Sequence, residues 1–176
     1  MLAIAGLGSR KSPDNILKEM TAIGVWCREH DIYVYSGHAK CADYSFEEGA
    51  ADHCLAFLPW NGFMKELPIL GKFIVVSPYQ QLIDITNTFH PNPSRLSYGG
   101  MKLMCRNVCQ VLGADLKSPV MAVVCYTSDG TDKGGTGQAI RIATAHSIPI
   151  LNLHKYKTAK AVLSDLGDMV KRRNNG

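Results

Sequence analysis

A chain of 176 residues, 46% of them hydrophobic, is long enough to form one compact domain with a sizeable core. The formal charge of +4 is modest, and apart from Lys171-Arg-Arg173 the basic residues are scattered, so no basic stripe typical of a nucleic-acid interface is evident. We therefore expect a single domain over residues 1–176.

The cysteines and the apolar runs indicate in which cellular compartment the protein is expected. Six cysteines form no CxxC pair, and several lie in apolar runs, which favours free thiols. Cys105 and Cys109 have no further ligand at metal-binding spacing, so we predict no metal site. No apolar run reaches the ~20 residues that span a bilayer, and the chain opens on a strand rather than a signal peptide. We expect a soluble cytoplasmic protein without a membrane partner.

The first part of the chain alternates predicted strands and helices. Residues 2–7 form a short apolar run typical of a strand covered on both faces. Ser12-Pro13 predicts an N-cap followed by proline at the first position of a helix. Strands are then predicted over 32–35 and 54–58, with a helix over 42–53 between them.

The segment 61–98 is predicted to be an excursion from this alternation. Residues 61–71 are irregular, 73–76 predict a short strand or buried turn, and 78–89 predict a helix that the prolines of 90–93 end. Such an excursion is either a lid over a ligand or a plain surface insertion.

Regular alternation is predicted again in the last part of the chain. The patterns predict helices and strands in the order helix 99–112 ending at Gly113, strand 120–126, helix 138–146, strand 149–153 and amphipathic helix 158–173. Together these elements predict an α/β fold, a three-layer sandwich whose mostly parallel sheet has helices on both faces.

Three polar, glycine-bearing loops each follow a predicted strand, at 6–10, 36–43 and 129–138. In a parallel sheet the loops after the strands open on one edge, where ligands bind. The third loop reads Asp129-Gly-Thr-Asp-Lys-Gly-Gly-Thr-Gly-Gln138 and leads into a helix, so its backbone N–H groups and the helix dipole suit an anion such as phosphate. The pattern predicts a nucleotide site.

Several polar side chains near these loops have two interpretations. Asp43 and Glu47 fall one turn apart on one helix face. Asp43 either stabilises the helix start, or it holds a ribose hydroxyl or braces the turn at Gly37. Arg106 either pairs on the surface or projects toward a phosphate. The loop residues His38 and His90 either contact the ligand or are loop histidines without a role in binding.

Six motifs, taken in order and spacing over residues 2–153, resemble the SLOG superfamily. This group takes in the DNA-processing A (DprA, Smf) proteins, YspA- and YpsA-related nucleotide sensors and LOG-type nucleotide phosphoribohydrolases. The sequence also resembles small DprA-like or SLOG-like proteins of tailed phages. The motifs are Gly8-Ser-Arg10, Ser36-Gly-His-Ala-Lys-Cys-Ala-Asp43, Phe46-Glu-Glu-Gly-Ala50, Leu58-Pro-Trp60, Met104-Cys-Arg-Asn107 and Gly134-Gly-Thr-Gly137.

The resemblance implies a Rossmann-like domain that binds a nucleotide or nucleotide-derived ligand without a resident cofactor. It also implies a homo-oligomer such as a dimer, for which Met101, Met104 and Val108 are candidates unless they pack in the core. The residues expected to bind the ligand are Gly8, Ser9, Arg10, Ser36, Gly37, His38, Ala39, Asp43, Arg106, Asn107, Asp129, Gly130, Gly134, Gly135, Thr136, Gly137 and Gln138.

Catalysis is implied less directly. Nucleotide-cleaving members pair an arginine with a glutamate after the glycine loop; Arg106 matches the arginine, but Gln138 and Ala139 stand where the acid is expected. Cys41 also replaces a usual glycine. Glu47 or Glu48 would substitute, because C–N glycosidic cleavage develops positive charge on the ribose. The predicted catalytic pair is Glu47 and Arg106.

Three functions follow as hypotheses. The first is a nucleotide-binding sensor or sequestering protein, which would act in the host cytoplasm if a phage encodes it. The second is an N-glycosidic-bond hydrolase or transferase. The third, a DprA-like protein that binds single-stranded DNA, is disfavoured by the modest charge and the lack of an aromatic-plus-basic run.

Overall fold

The computed structural model describes residues 1–174, which form a six-stranded, wholly parallel sheet. The strands lie in the order β4-β3-β2-β1-β5-β6. Their bounds are β1 Ala3–Gly8, β2 Tyr33–Ser36, β3 Cys54–Leu58, β4 Lys72–Val75, β5 Ala122–Tyr126 and β6 Ile150–Asn152. The chain therefore starts in the middle of the sheet, builds one half outward from β1, and returns to β1's other side at β5.

Helices cover both faces of the sheet. The helices are α1 Asp14–Glu29, α2 Ala42–Ala50, α3 Gln80–Phe89, α4 Tyr98–Leu112, α5 Gly134–Ala145, α6 Leu153–Tyr156 and α7 Ala159–Asn174, with short 3-10 turns at Ala51–His53 and Pro93–Arg95. One core cluster joins the sheet to α1, α2 and α7, and another joins it to α3, α4 and α5. The predicted three-layer α/β fold is confirmed.

Strand β1 shows why the middle of the sheet reads as a purely apolar run. Ala3, Ala5 and Leu7 belong to the core on the α4 side, whereas Ile4 belongs to the core on the α1 side. Successive side chains of a strand point to opposite faces, so a strand covered by helices on both faces needs apolar residues at every position.

Three details differ from the sequence prediction. Helix α5 begins at Gly134 rather than 138, so the glycines form its first turn instead of a preceding loop. Ser12 does not cap α1: its Oγ donates to the Ser9 carbonyl, and the helix begins after Pro13. Of the two alternatives predicted for 73–76, the strand is confirmed as β4, but all four of its residues are exposed, and burial begins at Val76. Within the described chain, the connection from β3 to β4 contains turns and no helix, so nothing there covers β4.

Candidate functional site

A deep hollow lies at the carboxyl ends of β1 and β5, where the chain order of the sheet reverses. Open parallel sheets bind ligands at such a point, because the loops after the two strands diverge and leave a crevice. Its volume of about 520 Å³ suits a small organic ligand. The cavity is lined by Leu7, Gly8, Ser9, Arg10, Lys11, Ala39, Asp43, Phe63, Met64, Leu103, Met104, Arg106, Asn107, Gln110, Thr127, Ser128, Asp129, Lys133, Gly134, Gly135 and Thr136.

One wall of the cavity is the first turn of α5. The N–H groups of a first turn have no partner within their helix, and the helix dipole adds a partial positive charge there. A Cβ added to Gly134 or Gly135 would meet no heavy atom within 4 Å, so the backbone of this turn is open to a ligand. Asn107 of α4 holds the turn in place, since its Nδ2 donates to the Gly135 carbonyl at 3.3 Å.

Basic side chains surround this turn. Arg10 and Lys11 follow β1, and Lys133 immediately precedes α5; all three are exposed. Lys133 Nζ lies 3.8 Å from Asp129 Oδ2, which only partly offsets the positive charge. The rim of the cavity is therefore cationic on the side of the open helix turn.

The floor of the cavity holds a buried ion pair between α2 and α4. Arg106 Nη1 donates to Asp43 Oδ2 at 3.3 Å and to Gln110 Oε1 at 2.8 Å. The guanidinium lies directly on Gly37, where an added Cβ would be 1.4 Å from Nη1, so only glycine fits there. The β2–α2 loop is thus shaped around Arg106.

The ionisation of this pair reflects its burial. Desolvation raises the pKa of Asp43 to about 6, although Arg106 and the backbone N–H groups of Ala39 and Gly8 lower it. Desolvation likewise lowers the pKa of Arg106, against the attraction of Asp43, but a guanidinium stays protonated in proteins. At neutral pH the pair is therefore charged.

Two donors in this group have no partner. In the described part of the chain, the buried side-chain atoms without a hydrogen bond are Arg106 Nε, Gln110 Nε2 and Gln138 Oε1. Arg106 is 6% exposed and Gln110 is 1% exposed, and both line the cavity. Unpaired buried donors are costly and uncommon, so this floor is suited to a guest that supplies oxygen acceptors.

The opposite wall is apolar. Phe63 and Met64 come from the turns after β3, and Leu103 and Met104 come from α4. The Phe63 ring centroid lies 5.9 Å from Arg106 Cζ, a cation–π contact that joins the apolar wall to the charged floor. The cavity is therefore polar at one end and apolar at the other.

A second buried polar cluster lies next to the cavity but outside its lining. Glu47 Oε1 accepts from Ser36 Oγ at 2.6 Å, and Glu47 Oε2 lies 2.7 Å from His38 Nδ1. The hydrogen bond with Glu47 raises the pKa of His38 above its ordinary value, against the opposing effect of burial. All three side chains are at most 1% exposed. Both oxygens of the predicted catalytic glutamate are thus engaged within the protein.

The structure brings most of the predicted ligand-binding residues to one cavity, and several others fall beside it. Those in the lining are Gly8, Ser9, Arg10, Ala39, Asp43, Arg106, Asn107, Asp129, Gly134, Gly135 and Thr136. Those outside the lining are Ser36, Gly37, His38, Gly130, Gly137 and Gln138. Their involvement in binding stays a prediction.

The displaced residues have structural roles. Gln138 is fully buried, with its Nε2 3.5 Å from Thr86 Oγ1. Gly137 packs against the Asp132 carbonyl, which an added Cβ would meet at 1.6 Å, and Gly130 occupies a turn with φ of +71°. His90 lies at a separate hollow beside Arg141, and its Nδ1 accepts from the Asn92 N–H.

Sequence reasoning missed part of the lining. Gln110 carried a usable signal, since it lies one helical turn after Arg106 on the same face. Lys133 lies in the third glycine loop and Ser128 lies beside it, so the sequence could have indicated both as lining residues. No sequence pattern indicated Phe63 and Met64, because irregular turns have no periodicity that tells which side chains point inward.

Comparisons with known proteins give the fold. No family model matches the chain, and neither does any curated protein. The Moco carrier protein of Chlamydomonas reinhardtii superposes with a TM-score of 0.59 at 11% identity, over 97% of this chain and 98% of that one. The fold is Rossmann-like.

A second solved structure supports this result. DNA processing protein A of Helicobacter pylori, described for its single-stranded DNA binding mode, superposes with a TM-score of 0.58 at 16% identity. The match covers 86% of this chain, which spans 64% of the length of that protein. At these identities the likeness concerns the fold, and it agrees with the fold that the SLOG resemblance implies.

Two other kinds of feature are absent from the described residues. Within residues 1–174 no group of three or more His, Cys, Asp or Glu side chains is arranged to hold a metal ion. Over the same residues, no helix has the length and apolar character needed to cross a membrane.

Proposed function

We propose that the protein binds a nucleotide or nucleotide-derived ligand in this cavity, as a sensor or sequestering protein. The observation that carries the proposal is the convergence of the open first turn of α5, Arg10 and the Asp43–Arg106 pair on one hollow. These features come from four separate stretches of the chain. The helix turn, Arg10 and Arg106 favour a guest with anionic oxygens, and the Asp43 carboxylate adds an acceptor for hydroxyl groups.

The phosphate end of such a ligand fits the first turn of α5. Unpaired N–H groups at a helix N-terminus are natural donors to phosphate oxygens. Gly135 leaves room for close approach, and Arg10 supplies an exposed positive charge from the loop after β1. A phosphate is therefore favoured here over a neutral polar group.

The remaining parts of a nucleotide match the rest of the cavity. The Asp43 carboxylate accepts hydrogen bonds from hydroxyl groups, as a ribose offers. The apolar wall formed by Phe63, Met64, Leu103 and Met104 suits the face of a base. Polar and apolar ends thus follow one another as they do in a nucleotide.

Binding is favoured over cleavage by the position of the carboxylates. Stabilising an oxocarbenium-like ribose needs a carboxylate that faces the sugar. Glu47 is outside the cavity lining and both its oxygens are engaged, whereas Asp43 lines the cavity but is paired with Arg106. If the protein does release base from nucleoside monophosphates, Asp43→Asn should reduce the release and Glu47→Gln should not. Chromatography of the released base would compare the two variants.

The proposal is tested by calorimetric titration with nucleoside mono-, di- and triphosphates, together with mass spectrometry of small molecules that co-purify. Arg10→Ala should weaken binding of the best nucleotide by roughly ten- to a hundredfold, since a charge-assisted hydrogen bond is worth about 1.5–3 kcal/mol. Arg28→Ala, which removes an exposed arginine of α1, is the matched control and should have no effect. Absence of binding by every nucleotide, with none co-purifying, would overturn the proposal.

Single-stranded DNA is the second candidate ligand, favoured by the fold shared with DNA processing protein A and by the cationic rim of Arg10, Lys11 and Lys133. Phosphate-driven binding weakens steeply with salt, so fluorescence anisotropy of a labelled oligonucleotide between roughly 50 and 200 mM salt would detect it. Binding at low salt that Arg10→Ala and Lys133→Ala each weaken would favour DNA. No binding at low salt would eliminate it.

A further inference from the structure

The edge strand β4 is the most exposed apolar segment of the sheet. Phe73 is 50% exposed, Ile74 37% and Val75 39%, and the preceding Ile69 and Leu70 are each 39% exposed. Parallel sheets are normally covered on both faces, and native edge strands are normally blunted by charges, proline or bulges. Here the only charge in the strand is Lys72, at its first position. We call residues 69–75 the β4 patch.

The free side of β4 also carries unused backbone groups. The Val76 N–H donates to the Leu58 carbonyl at 2.8 Å, which sets the alternation along the strand. Residues 72, 74 and 76 direct their N–H and C=O groups toward β3, so those of Phe73 and Val75 point outward. An outward N–H and C=O at two alternate positions is the template for one more strand.

We propose that the β4 patch is the interface with a second copy of this chain, formed by antiparallel pairing of β4 with itself about a two-fold axis at Ile74. In this register Phe73 of one copy exchanges both backbone hydrogen bonds with Val75 of the other, and the symmetric pair does the same. The two sheets then continue as one.

The side chains are self-complementary in the same register. Phe73 stands beside Val75 of the second copy on one face, an aromatic and β-branched pair of the kind that stabilises antiparallel strands. On the other face Ile74 meets its own symmetry mate. Lys72 of each copy lies at opposite ends of the pairing, so the two charges stay apart.

The size of the patch fits this use. Its five apolar residues are each at least 37% exposed, and the largest apolar patch on a monomer is often a functional surface. A standard interface buries ~800 Å² on each partner, so the paired backbone and flanking side chains would supply the remainder. The α4 residues considered above for a dimer are already used: Val108 is fully buried, Met101 packs on the core and Met104 lines the cavity.

The test combines sedimentation with site-directed cross-linking. Two-fold pairing places the Cα atoms of residue 74 about 4.5 Å apart, within the ~4.4–6.8 Å range of disulfides. Those of residue 72 would be roughly 13 Å apart. Ile74→Cys should therefore give a reducible covalent dimer under mild oxidation, and Lys72→Cys should not. Both are made in a Cys41→Ser chain, since of the six cysteines, all within the described residues, Cys41 alone is not buried.

Sedimentation velocity should show the unmodified chain as a dimer at tens of micromolar, and Ile74→Lys should raise the dissociation constant at least tenfold by opposing two charges at the axis. Tyr98→Lys, at a 76% exposed tyrosine far along the chain, is the control and should leave the dimer intact. A monomeric chain at every concentration would overturn the proposal. So would a dimer that Ile74→Lys leaves intact and Ile74→Cys does not cross-link.

Discussion

Helix α2 carries two buried carboxylates one turn apart that have very different surroundings. Asp43 lines the cavity and faces Arg106 from α4, whereas Glu47 is enclosed by Ser36 at the end of β2 and by His38 in the loop that follows. Asp43 belongs to a group with unpaired donors at its edge, while both oxygens of Glu47 are satisfied. Asp43 is therefore available to a ligand, whereas Glu47 fixes the loop between β2 and α2.

The largest effect should come from removing the enclosed carboxylate. Glu47→Ala leaves Ser36 and a buried His38 without their acceptor, so the free energy of unfolding at pH 7 should fall by about 3–5 kcal/mol. Urea denaturation measures this, and Glu48→Ala, at the exposed neighbour, should change it by less than about 0.5 kcal/mol. A Glu47→Ala protein of unchanged stability that no longer binds ligand would reverse the roles assigned to the two carboxylates.

The next effect is a dependence of stability on pH that belongs to Asp43. The folded pKa of about 6 lies above the ordinary 3.8, so between these values the native state holds a proton that the unfolded state has lost. Stability should therefore decrease as pH rises from about 4 to 6, by about 3 kcal/mol. Denaturation across this window should show the decrease in the unmodified chain and not in Asp43→Asn.

His38 provides the contrasting window. Its pKa is raised in the folded state, so the stability it adds is fully present below the ordinary value of 6.5 and is lost as pH rises through the folded pKa. Asp43→Asn should retain this loss of stability above pH 6.5. His38→Asn should not, because asparagine does not titrate. Asparagine also tolerates the positive φ at this position, so the loop should keep its conformation. If Asp43→Asn abolished both losses, the two clusters would titrate as one.

The smallest effect on stability should accompany a clear effect on binding. Gly135→Ala places a methyl group in open space at the first turn of α5, so stability should stay equal or rise by up to about 1 kcal/mol. The methyl group occupies the place proposed for phosphate, and calorimetric affinity for a nucleotide should fall about tenfold. Gly167→Ala in α7 is the matched control: an added Cβ there also meets nothing, and affinity should not change.

Local sequence patterns predicted the order of the elements well. Strand β3 has the predicted bounds 54–58, and Gly113 ends α4 with φ of +81°, as a glycine stop requires. The prediction was less good where a local preference competes with tertiary contacts. Glycine disfavours helix, so the first turn of α5 was assigned to a loop, although Asn107 from α4 holds it in place. The exposure of β4 was missed because a run of Phe73, Ile74 and Val75 is typical of a covered strand.

The sequence alone determined that alternating strands and helices would form a parallel sheet with glycine-bearing loops on one edge, and that Asp43 and Glu47 would share one face of a helix. These properties depend on residue spacing of 2 or about 3.6, which is local. Only the tertiary structure decided that Asp43 meets Arg106 at a cavity while Glu47 is enclosed. Spacing fixes the direction of a side chain relative to its own helix, but the element that stands opposite comes from a distant part of the chain.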